Sequence, residues 1–260
     1  MGGYTTWPAR TAGLEVQAEP RIVERTLQLM EQLAGKSRRH LTETNGPYAE
    51  AVLGSKPEAY WRMSDMEGST AFDTSGNLHP AIYEAGVVHY LTGPESAGFS
   101  GGTVNRAAHF AGGRLTTQIR DVPPNYTVEM WFWNGLPEAV RSITGYLFAR
   151  GAGDALAIGG SASSPGRLVF DGTAGHTEIR TKTWNQIALV RDGNRVSAYL
   201  NGDRTPELQV TSNETASPEF FIGGRDDHES TFEGKIDEVA VYPRALTADE
   251  VAAHYRAAGL

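Results

Sequence analysis

The chain has 260 residues, of which 40% are hydrophobic and 21% charged, and its mean hydropathy is −0.37. Its 31 acidic and 23 basic residues leave a formal net charge of −8. Binding to nucleic acid or to an anionic membrane surface depends on clustered Lys and Arg, so this balance argues against both partners. The absence of Cys excludes disulfides and thiolate metal ligands. No apolar run approaches the roughly 20 residues of a membrane-spanning helix, so we expect no membrane insertion.

The first 46 residues are predicted to be separate from the rest. Residues 1–18 show no hydrophobic periodicity, but apolar residues at helical spacing then predict a helix over 20–34: Val23, Leu27, Met30 and Leu33. The basic run 36–40 suits the solvated end of that helix. The start of the chain lacks the basic and apolar segments of an export signal. We therefore expect a piece of a longer protein, in which residues 1–46 are a linker or part of a neighbouring domain.

From residue 47 onward the pattern changes to that of short strands. A helical turn over 47–53 ends at Gly54, and then Ala59, Trp61 and Met63 alternate with their neighbours, which predicts a half-buried strand. The pair Asn201-Gly202 after the strand 195–200 indicates a hairpin, because both central residues of such a turn need positive φ. Further strands are predicted at 106–110, 126–133, 145–150, 155–159, 167–170, 176–180, 184–191, 195–200, 218–223 and 232–242. Such spacing, without intervening helices, favours a sandwich or barrel.

A helix is predicted at the C-terminus. Thr247 and Glu250 have the spacing of a capping box, and Leu246 and Val251 that of a hydrophobic staple. Gly259 supplies the stop.

Four stretches together resemble the laminin-G-like, concanavalin A-like jelly-roll family of multi-domain bacterial proteins. They are 59–77, with Ala-Tyr-Trp-Arg-Met and Asp-Thr-Ser-Gly-Asn; 126–132; 184–191 with 199–202; and 222–224 with 232–247. The resemblance covers residues 47–258. It implies an all-β, two-sheet antiparallel jelly-roll sandwich over 47–260, with adjacent first and last strands, an N-terminal helical extension and a short C-terminal helix. It also implies a role in holding glycans or protein partners.

Glucanases share this fold, so a catalytic member would need a second carboxyl group near Glu129 on the same strand. Glycoside hydrolysis needs two carboxyl groups facing one sugar ring, and residues two apart share a face of a strand. The family's catalytic signature is Glu-x-Asp-x-x-Glu, but Trp131 and Trp133 stand two and four residues after Glu129. The signatures of polysaccharide lyases are also not recognisable. The sequence therefore favours a non-catalytic module.

Two other arrangements with catalytic potential find no support in the sequence. Asp237 and Glu238 are neighbours in a predicted strand, so we expect them on opposite faces, with Asp237 bound to a cation such as Arg62 or to a metal ion. The seven His residues are scattered, without a nucleophile elbow or zinc-ligand spacing. His109 is expected to be a strand residue whose ring is hydrogen-bonded.

Calcium is the one cofactor that the sequence suggests, because Ca²⁺ prefers oxygen ligands from loops. Asp73 and Asn77 offer such oxygens across a tight turn, and Asp237 is a third candidate ligand. The alternative is that Asp73 and Asn77 stabilise the turn through their own backbone.

Two places are candidates for ligand binding. The loop Arg225, Asp226, Asp227 and His228 is the densest polar cluster and is expected at a rim of the sandwich, although such a loop is also often only solvated. Trp133, followed by Asn134, lies at a strand end and could be a stacking platform for a sugar ring. Three other Trp residues are expected in the core: Trp61, Trp131 and Trp184.

Three functions follow from these observations. The first is a carbohydrate- or glycoconjugate-binding module of a larger exported protein, placed outside the cell or in its envelope. The second is a structural or protein–protein interaction domain. The third is a glycan-cleaving enzyme, either a glycoside hydrolase or a polysaccharide lyase.

Overall fold

The computed structural model describes residues 45–100, 104–137, 140–151, 153–213 and 217–260. The predicted helix over 20–34 and the assignment of residues 1–44 lie outside the described residues. The described strands are, in chain order, β1 (Ala59–Trp61), β2 (Thr70–Ala71), β3 (Ala81–Tyr83), β4 (Val87–Thr92), β5 (Arg106–Ala111), β6 (Leu115–Gln118), β7 (Tyr126–Asn134), β8 (Ile143–Arg150), β9 (Asp154–Gly160), β10 (Ser163–Phe170), β11 (Thr173–Glu178), β12 (Trp184–Asp192), β13 (Arg195–Leu200), β14 (Leu208–Thr211), β15 (Glu219–Ile222) and β16 (Glu233–Tyr242).

These strands form two antiparallel sheets. Sheet A has the order β14-β13-β12-β7-β16-β5-β4, with β1 paired to β16, and sheet B has the order β11-β10-β9-β8-β15-β6-β3-β2. The first and last strands are adjacent, with Tyr60 opposite Ala240. The predicted all-β sandwich with its first and last strands paired is therefore confirmed.

The core lies between the sheets and follows the two-residue period of the strands. On β7, Tyr126, Val128, Met130 and Phe132 are buried in it. Sheet B contributes side chains from its inner face to the same cluster: Leu147, Phe148, Leu156, Ile158, Leu168, Phe170, Phe220 and Ile222. Burying one such side chain fully contributes about 1.5–3 kcal/mol, so this layer is the main source of stability.

Within the described ranges, three helices accompany the sandwich: α1 (Pro47–Gly54), α2 (Ala97–Ser100) and α3 (Ala248–Ala257). Their apolar residues pack on the outer face of sheet A in a second buried cluster, which includes Tyr48, Phe99, Trp131 and Val251. The Trp131 ring stacks on Tyr255 of α3, with ring centroids 5.6 Å apart. Of the helices in the described residues, none has the length and hydropathy to cross a bilayer.

This helical cover corrects one expectation for β1. The strand over 59–63 was predicted to be half-buried, but Tyr60 and Arg62 on its outer side are also buried, at 0% and 5% exposure. Tyr60 belongs to the second cluster, under the helices. The alternation of residues 59–63 is a local pattern and does not show that distant segments cover the strand.

The end signals of the C-terminal helix are confirmed. Asn201 and Gly202 form the turn of the predicted hairpin, although the partner strand β14 begins only at Leu208. Thr247 Oγ1 accepts from the Glu250 amide, and the Glu250 carboxylate accepts from the Thr247 amide. In the turn, Asn201 and Gly202 have φ of 50° and 69°, and the Asp203 amide donates to the Leu200 carbonyl. Such a conformation is open to Asn and Gly at little cost.

Candidate functional site

The outer face of sheet B carries a groove lined by a cross-strand row of side chains. Val169, Ala157 and Tyr146 lie opposite one another on β10, β9 and β8. Because the alanine between the two larger residues ends at its methyl group, the surface is recessed there. The resulting groove has a volume of about 620 Å³, and Ser212 and Asn213 at its edge offer polar groups. This size is in the usual range of ligand sites.

A second groove lies further along the same face and has the same construction. Phe221, Thr116 and Ile82 face one another on β15, β6 and β3, so a small side chain again separates two larger apolar ones. The groove has a volume of about 430 Å³. From β10 to β3 the face spans five inter-strand spacings of about 4.8 Å, or about 24 Å.

Arg225 stands at the edge of the larger groove. Its guanidinium donates to the Tyr146 hydroxyl at 3.2 Å and lies 4.9 Å from the centre of that ring. It also donates to both carboxylate oxygens of Asp227, one of them at 3.0 Å. The hydrogen bonds from Arg225 hold the pKa of Asp227 below its usual range. Arg225 is thus a fixed cation beside an aromatic ring.

Arg114 connects this edge to the smaller groove. Its guanidinium donates to both carboxylate oxygens of Glu84, at 2.9 and 2.8 Å, and to the carbonyl oxygen of Arg225. It lies 2.8 Å from His228 Nε2 and 4.6 Å from the centre of the Phe221 ring. The predicted loop 225–228 therefore lies between the two grooves of sheet B, and Asp226 in it is exposed.

The outer face of β7, the strand that holds Glu129, lies under the helices. Glu129 is fully buried, and its carboxylate accepts from the Tyr48 hydroxyl at 2.9 Å, the Gln186 amide at 2.6 Å and the Tyr242 hydroxyl at 3.1 Å. His254 Nδ1 lies 2.8 Å from Glu129 Oε2, the oxygen that also accepts from Tyr242. Burial alone would raise the pKa of Glu129, but His254 and these donors outweigh burial and lower it. We call these five residues the Glu129 network.

The structure also reveals a serine that the sequence reasoning missed. Ser55 Oγ lies 2.8 Å from His254 Nε2, so Ser55, His254 and Glu129 form a chain like that of a serine hydrolase triad. Ser55 follows the C-terminal end of α1, however, where the helix dipole disfavours an oxyanion. The amides of Ser55 and Lys56 are already bonded to carbonyls of α1, so neither is free to stabilise a tetrahedral intermediate. We interpret the chain as a link between α1, α3 and β7.

The arrangement of Asp237 and Glu238 differs from the prediction. Asp237 lies opposite Trp131, on the outer face of sheet A, and the register of β16 shifts directly after it. Glu238 has a φ of 52° in this bulge, and its carboxylate bonds Tyr60 and Arg62 on the same outer face. The prediction of opposite faces was therefore wrong, because the extra residue breaks the alternation.

The predicted pairing of Arg62 with Asp237 was also wrong, since Arg62 bonds Glu238 at 3.2 Å. Asp237 instead accepts from the Asn105 amide at 2.6 Å. Burial, and then the nearby Glu238, raises the pKa of Asp237 well above its usual value.

The residues suggested for calcium lie in two places. Asp73 accepts from the amides of Tyr60, Ser75 and His79 and from the Ser75 hydroxyl, at 2.8–2.9 Å. Asn77 donates to the carbonyl of Glu58 at 3.1 Å in the same turn. These contacts suit the alternative that the turn stabilises itself. In the described ranges, no group of three or more acidic or His side chains is placed to hold a metal ion. A calcium site at Asp73, Asn77 and Asp237 stays a prediction.

Trp133 and Asn134 lie on sheet A, away from the loop 225–228. Trp133 is half-buried, and Asn134 is buried, with both ends of its amide bonded to Leu136. Trp61 and Trp131 are buried as expected, whereas Trp184 is half-buried.

Two-sheet antiparallel jelly rolls occur in lectin domains, viral capsid proteins and cupins. The family model described as the concanavalin A-like lectin/glucanases superfamily matches residues 112–252, over half of the chain, and the chain belongs to this superfamily. A search of curated proteins finds no match.

Three solved structures illustrate the likeness. Domain 4 of AbnA, a GH43 extracellular arabinanase from Geobacillus stearothermophilus, in complex with arabinotriose, is 21% identical, with a TM-score of 0.56 over 77% of this chain and 98% of that one. The binding domain of Paraclostridial Mosquitocidal Protein 1 is 16% identical, with a TM-score of 0.56 over 78% of this chain. Trypanosoma rangeli sialidase with 2,3-difluorosialic acid is 14% identical, with a TM-score of 0.59 over 88% of this chain. The match spans 52% of the mosquitocidal structure and 38% of the sialidase. These identities show the fold alone.

Proposed function

We propose that this chain is a non-catalytic carbohydrate-binding module and that it holds an oligosaccharide across the outer face of sheet B. The observation that carries the proposal is the row Val169, Ala157 and Tyr146, which forms a groove of about 620 Å³ with Arg225 at its edge. The domain of the Geobacillus arabinanase that was solved with arabinotriose has the same fold, which supports a sugar as the ligand.

The chemistry of the groove suits a sugar. The Tyr146 ring offers an apolar surface for the C–H groups of a pyranose or furanose, while Arg225, Ser212 and Asn213 offer hydrogen bonds to hydroxyl groups. The second groove, beside Phe221, continues the same face. A ligand that occupied both grooves would be an extended chain of several sugar units.

The carboxyl groups of the grooves favour binding over hydrolysis. Asp154 in the larger groove is bonded to Arg191 and to the Tyr126 hydroxyl, at 2.7 and 2.6 Å. Glu84 in the smaller groove is bonded to Arg114. A second, exposed carboxyl group lines each groove, Asp171 in the larger and Glu219 in the smaller. In each groove one of the two carboxyl groups is thus engaged by arginine, whereas hydrolysis needs two that can act on one linkage.

The first test is a glycan array probed with the whole chain, followed by titration calorimetry with the glycans that bind. We expect Tyr146→Ala to weaken binding by about tenfold or more, since aromatic residues dominate such contacts. Tyr90→Ala is the matched control, because Tyr90 is 40% exposed on β4 of sheet A. It should bind like the wild type.

Two outcomes would count against the proposal: an array without binding at high protein concentration, or equal affinities for the Tyr146 and Tyr90 variants. An assay of the same glycans for reducing ends or new double bonds tests the non-catalytic part. Product formation that depends on the protein would show cleavage instead.

The setting of the module is also part of the proposal. We propose that the chain works within a larger exported protein, outside the cell or in its envelope, where polysaccharides are accessible. Fractionation of cells that produce the full-length protein, with detection in the medium or envelope, tests this placement. Recovery in the cytosol alone would contradict it.

A further inference from the structure

The outer face of sheet A carries a second cross-strand row, at the margin of the helical cover. Trp184 of β12 lies opposite Trp133 of β7, which lies opposite Lys235 of β16, which lies opposite His109 of β5. All four side chains are half-exposed, although much of this face is buried under the helices. We call these four residues the indole row.

Lys235 is held beside both indoles. Its Nζ lies 5.2 Å from the centre of the Trp133 ring and 5.8 Å from that of Trp184. It donates one hydrogen bond, to the carbonyl of Thr92 at 2.8 Å, so two of its three N–H donors remain available.

The charge of Lys235 is not matched by an acid in the described part of the chain. No ion pair involves Lys235 there. The acids two residues away along β16 are engaged elsewhere, since Glu233 is paired with Arg141 at 3.3 Å and Asp237 accepts from Asn105. The chain has a net charge of −8, yet none of its acids in the described ranges pairs with this ammonium group. The group lies beside two aromatic rings and is therefore available to bind an anion.

His109 adds a neutral polar group. Burial, and then the adjacent Lys235, lowers the pKa of His109 below its usual value. At neutral pH its ring therefore has one donor and one acceptor. No protein group in the described ranges hydrogen-bonds this ring, contrary to the expectation from sequence, so it is available to a ligand hydroxyl.

We propose that the indole row is a second binding site, for a sugar ring that carries a carboxylate. The apolar face of the ring would lie on Trp133 and Trp184, the carboxylate would accept from Lys235, and a hydroxyl would bond His109. This inference goes beyond the sheet B proposal and stands without it, since the two surfaces belong to different sheets and share no residue.

The test measures binding of two acidic probes, trigalacturonic acid and 3′-sialyllactose, against their neutral partners, the methyl esters of the same two sugars. The wild type should bind at least one acid about tenfold more tightly than its neutral partner, because a charge-assisted bond is lost in the neutral one. Lys235→Met keeps the apolar stem and should remove this preference. Lys235→Arg should restore it, and Lys56→Met, at an exposed site, should leave it unchanged.

Binding should also weaken as salt is added, because the contact is ionic and half-exposed. Tyr146→Ala should not affect the acidic preference, which separates this site from the sheet B groove. The inference is overturned if neither acid binds more tightly than its neutral partner, or if the Lys235→Met and Lys56→Met variants bind the acids equally. Melting temperatures of all variants show whether each is folded.

Discussion

The outer faces of the two sheets are built from strands of the same kind, but helices cover much of the face of sheet A and leave that of sheet B open. On sheet A, β7 presents Glu129 and Trp131 outward, and α1 and α3 bury both. On sheet B, β8 and β9 present Tyr146 and Ala157 outward, and a groove remains above them. Most buried polar groups are bonded by the protein, as the Glu129 carboxylate is here, whereas one at an open groove can bond a ligand. The cover, rather than the strand pattern, therefore separates structural from binding residues.

The largest loss of stability is expected on substitution of Glu129, whose charge is buried under α1 and α3. Glu129→Ala would leave three buried donors and a charged His254 without their acceptor. We expect the free energy of unfolding to fall by about 3–5 kcal/mol, as when a buried ion pair loses one partner. Urea denaturation measures it. Glu178→Ala, at an exposed site on β11, is the matched control and should change stability by less than about 0.5 kcal/mol. An equal effect of the two substitutions would show that the network does not hold the cover.

The same network should make stability depend on pH. Burial would lower the pKa of His254, but Glu129 outweighs it and raises the pKa. The stabilisation from His254 is then complete below about pH 6.5, its usual pKa, and is lost as the pH rises through the raised pKa. Glu129 has a lowered pKa, so its stabilisation is present above about pH 4.3 and is lost in more acidic solution.

The stability difference between wild type and His254→Gln should therefore be largest at about pH 5–6.5 and should shrink toward alkaline pH. Urea denaturation of both proteins from pH 4 to 10 measures this difference. A difference that stays constant, or grows with pH, would contradict an ionised pair.

A smaller effect, confined to binding, is expected in the groove. Ala157→Leu would fill the recess between Val169 and Tyr146, and we expect affinity for the array-selected glycan to fall by about tenfold while the fold is kept. Ala174→Leu is the control, because Ala174 lies opposite Val169 in the same row, one strand beyond. Equal affinities for the two variants, measured by calorimetry, would mean that the recess is not the binding site.

The smallest effect is expected at Asp227. Its pair with Arg225 is about one-third exposed, so Asp227→Asn should change the free energy of unfolding by less than about 1 kcal/mol. A thermal melt of the variant measures this. A larger loss would show that the loop 225–228 stabilises the sandwich rather than only bordering the grooves.

The sequence was sufficient for the fold but not for the site. Long strands such as β7, β12 and β16 were predicted because their alternation and turn residues are local signals. Five strands were missed: β2, β3, β4, β6 and β14. Four of these have only two to four residues, too few to show a period.

The predicted site residues illustrate why the contacts of the site could not be predicted from the sequence. The loop with Arg225 was chosen for its polarity, but its partner Tyr146 is 79 residues away along the chain. The link from Ser55 to His254 spans 199 residues. Pairs of this kind depend on which strands become neighbours, and the bulge at Glu238 has no local turn residue to reveal it.

The most direct test of the central claim is an NMR titration of the ¹⁵N-labelled chain with a neutral oligosaccharide selected on the array. The account predicts that amide shifts change along β8, β9 and β10 and in the loop 225–228, while those around Glu129 on β7 and along α3 stay in place. Shift changes centred on Glu129 and α3, with sheet B unaffected, would contradict it.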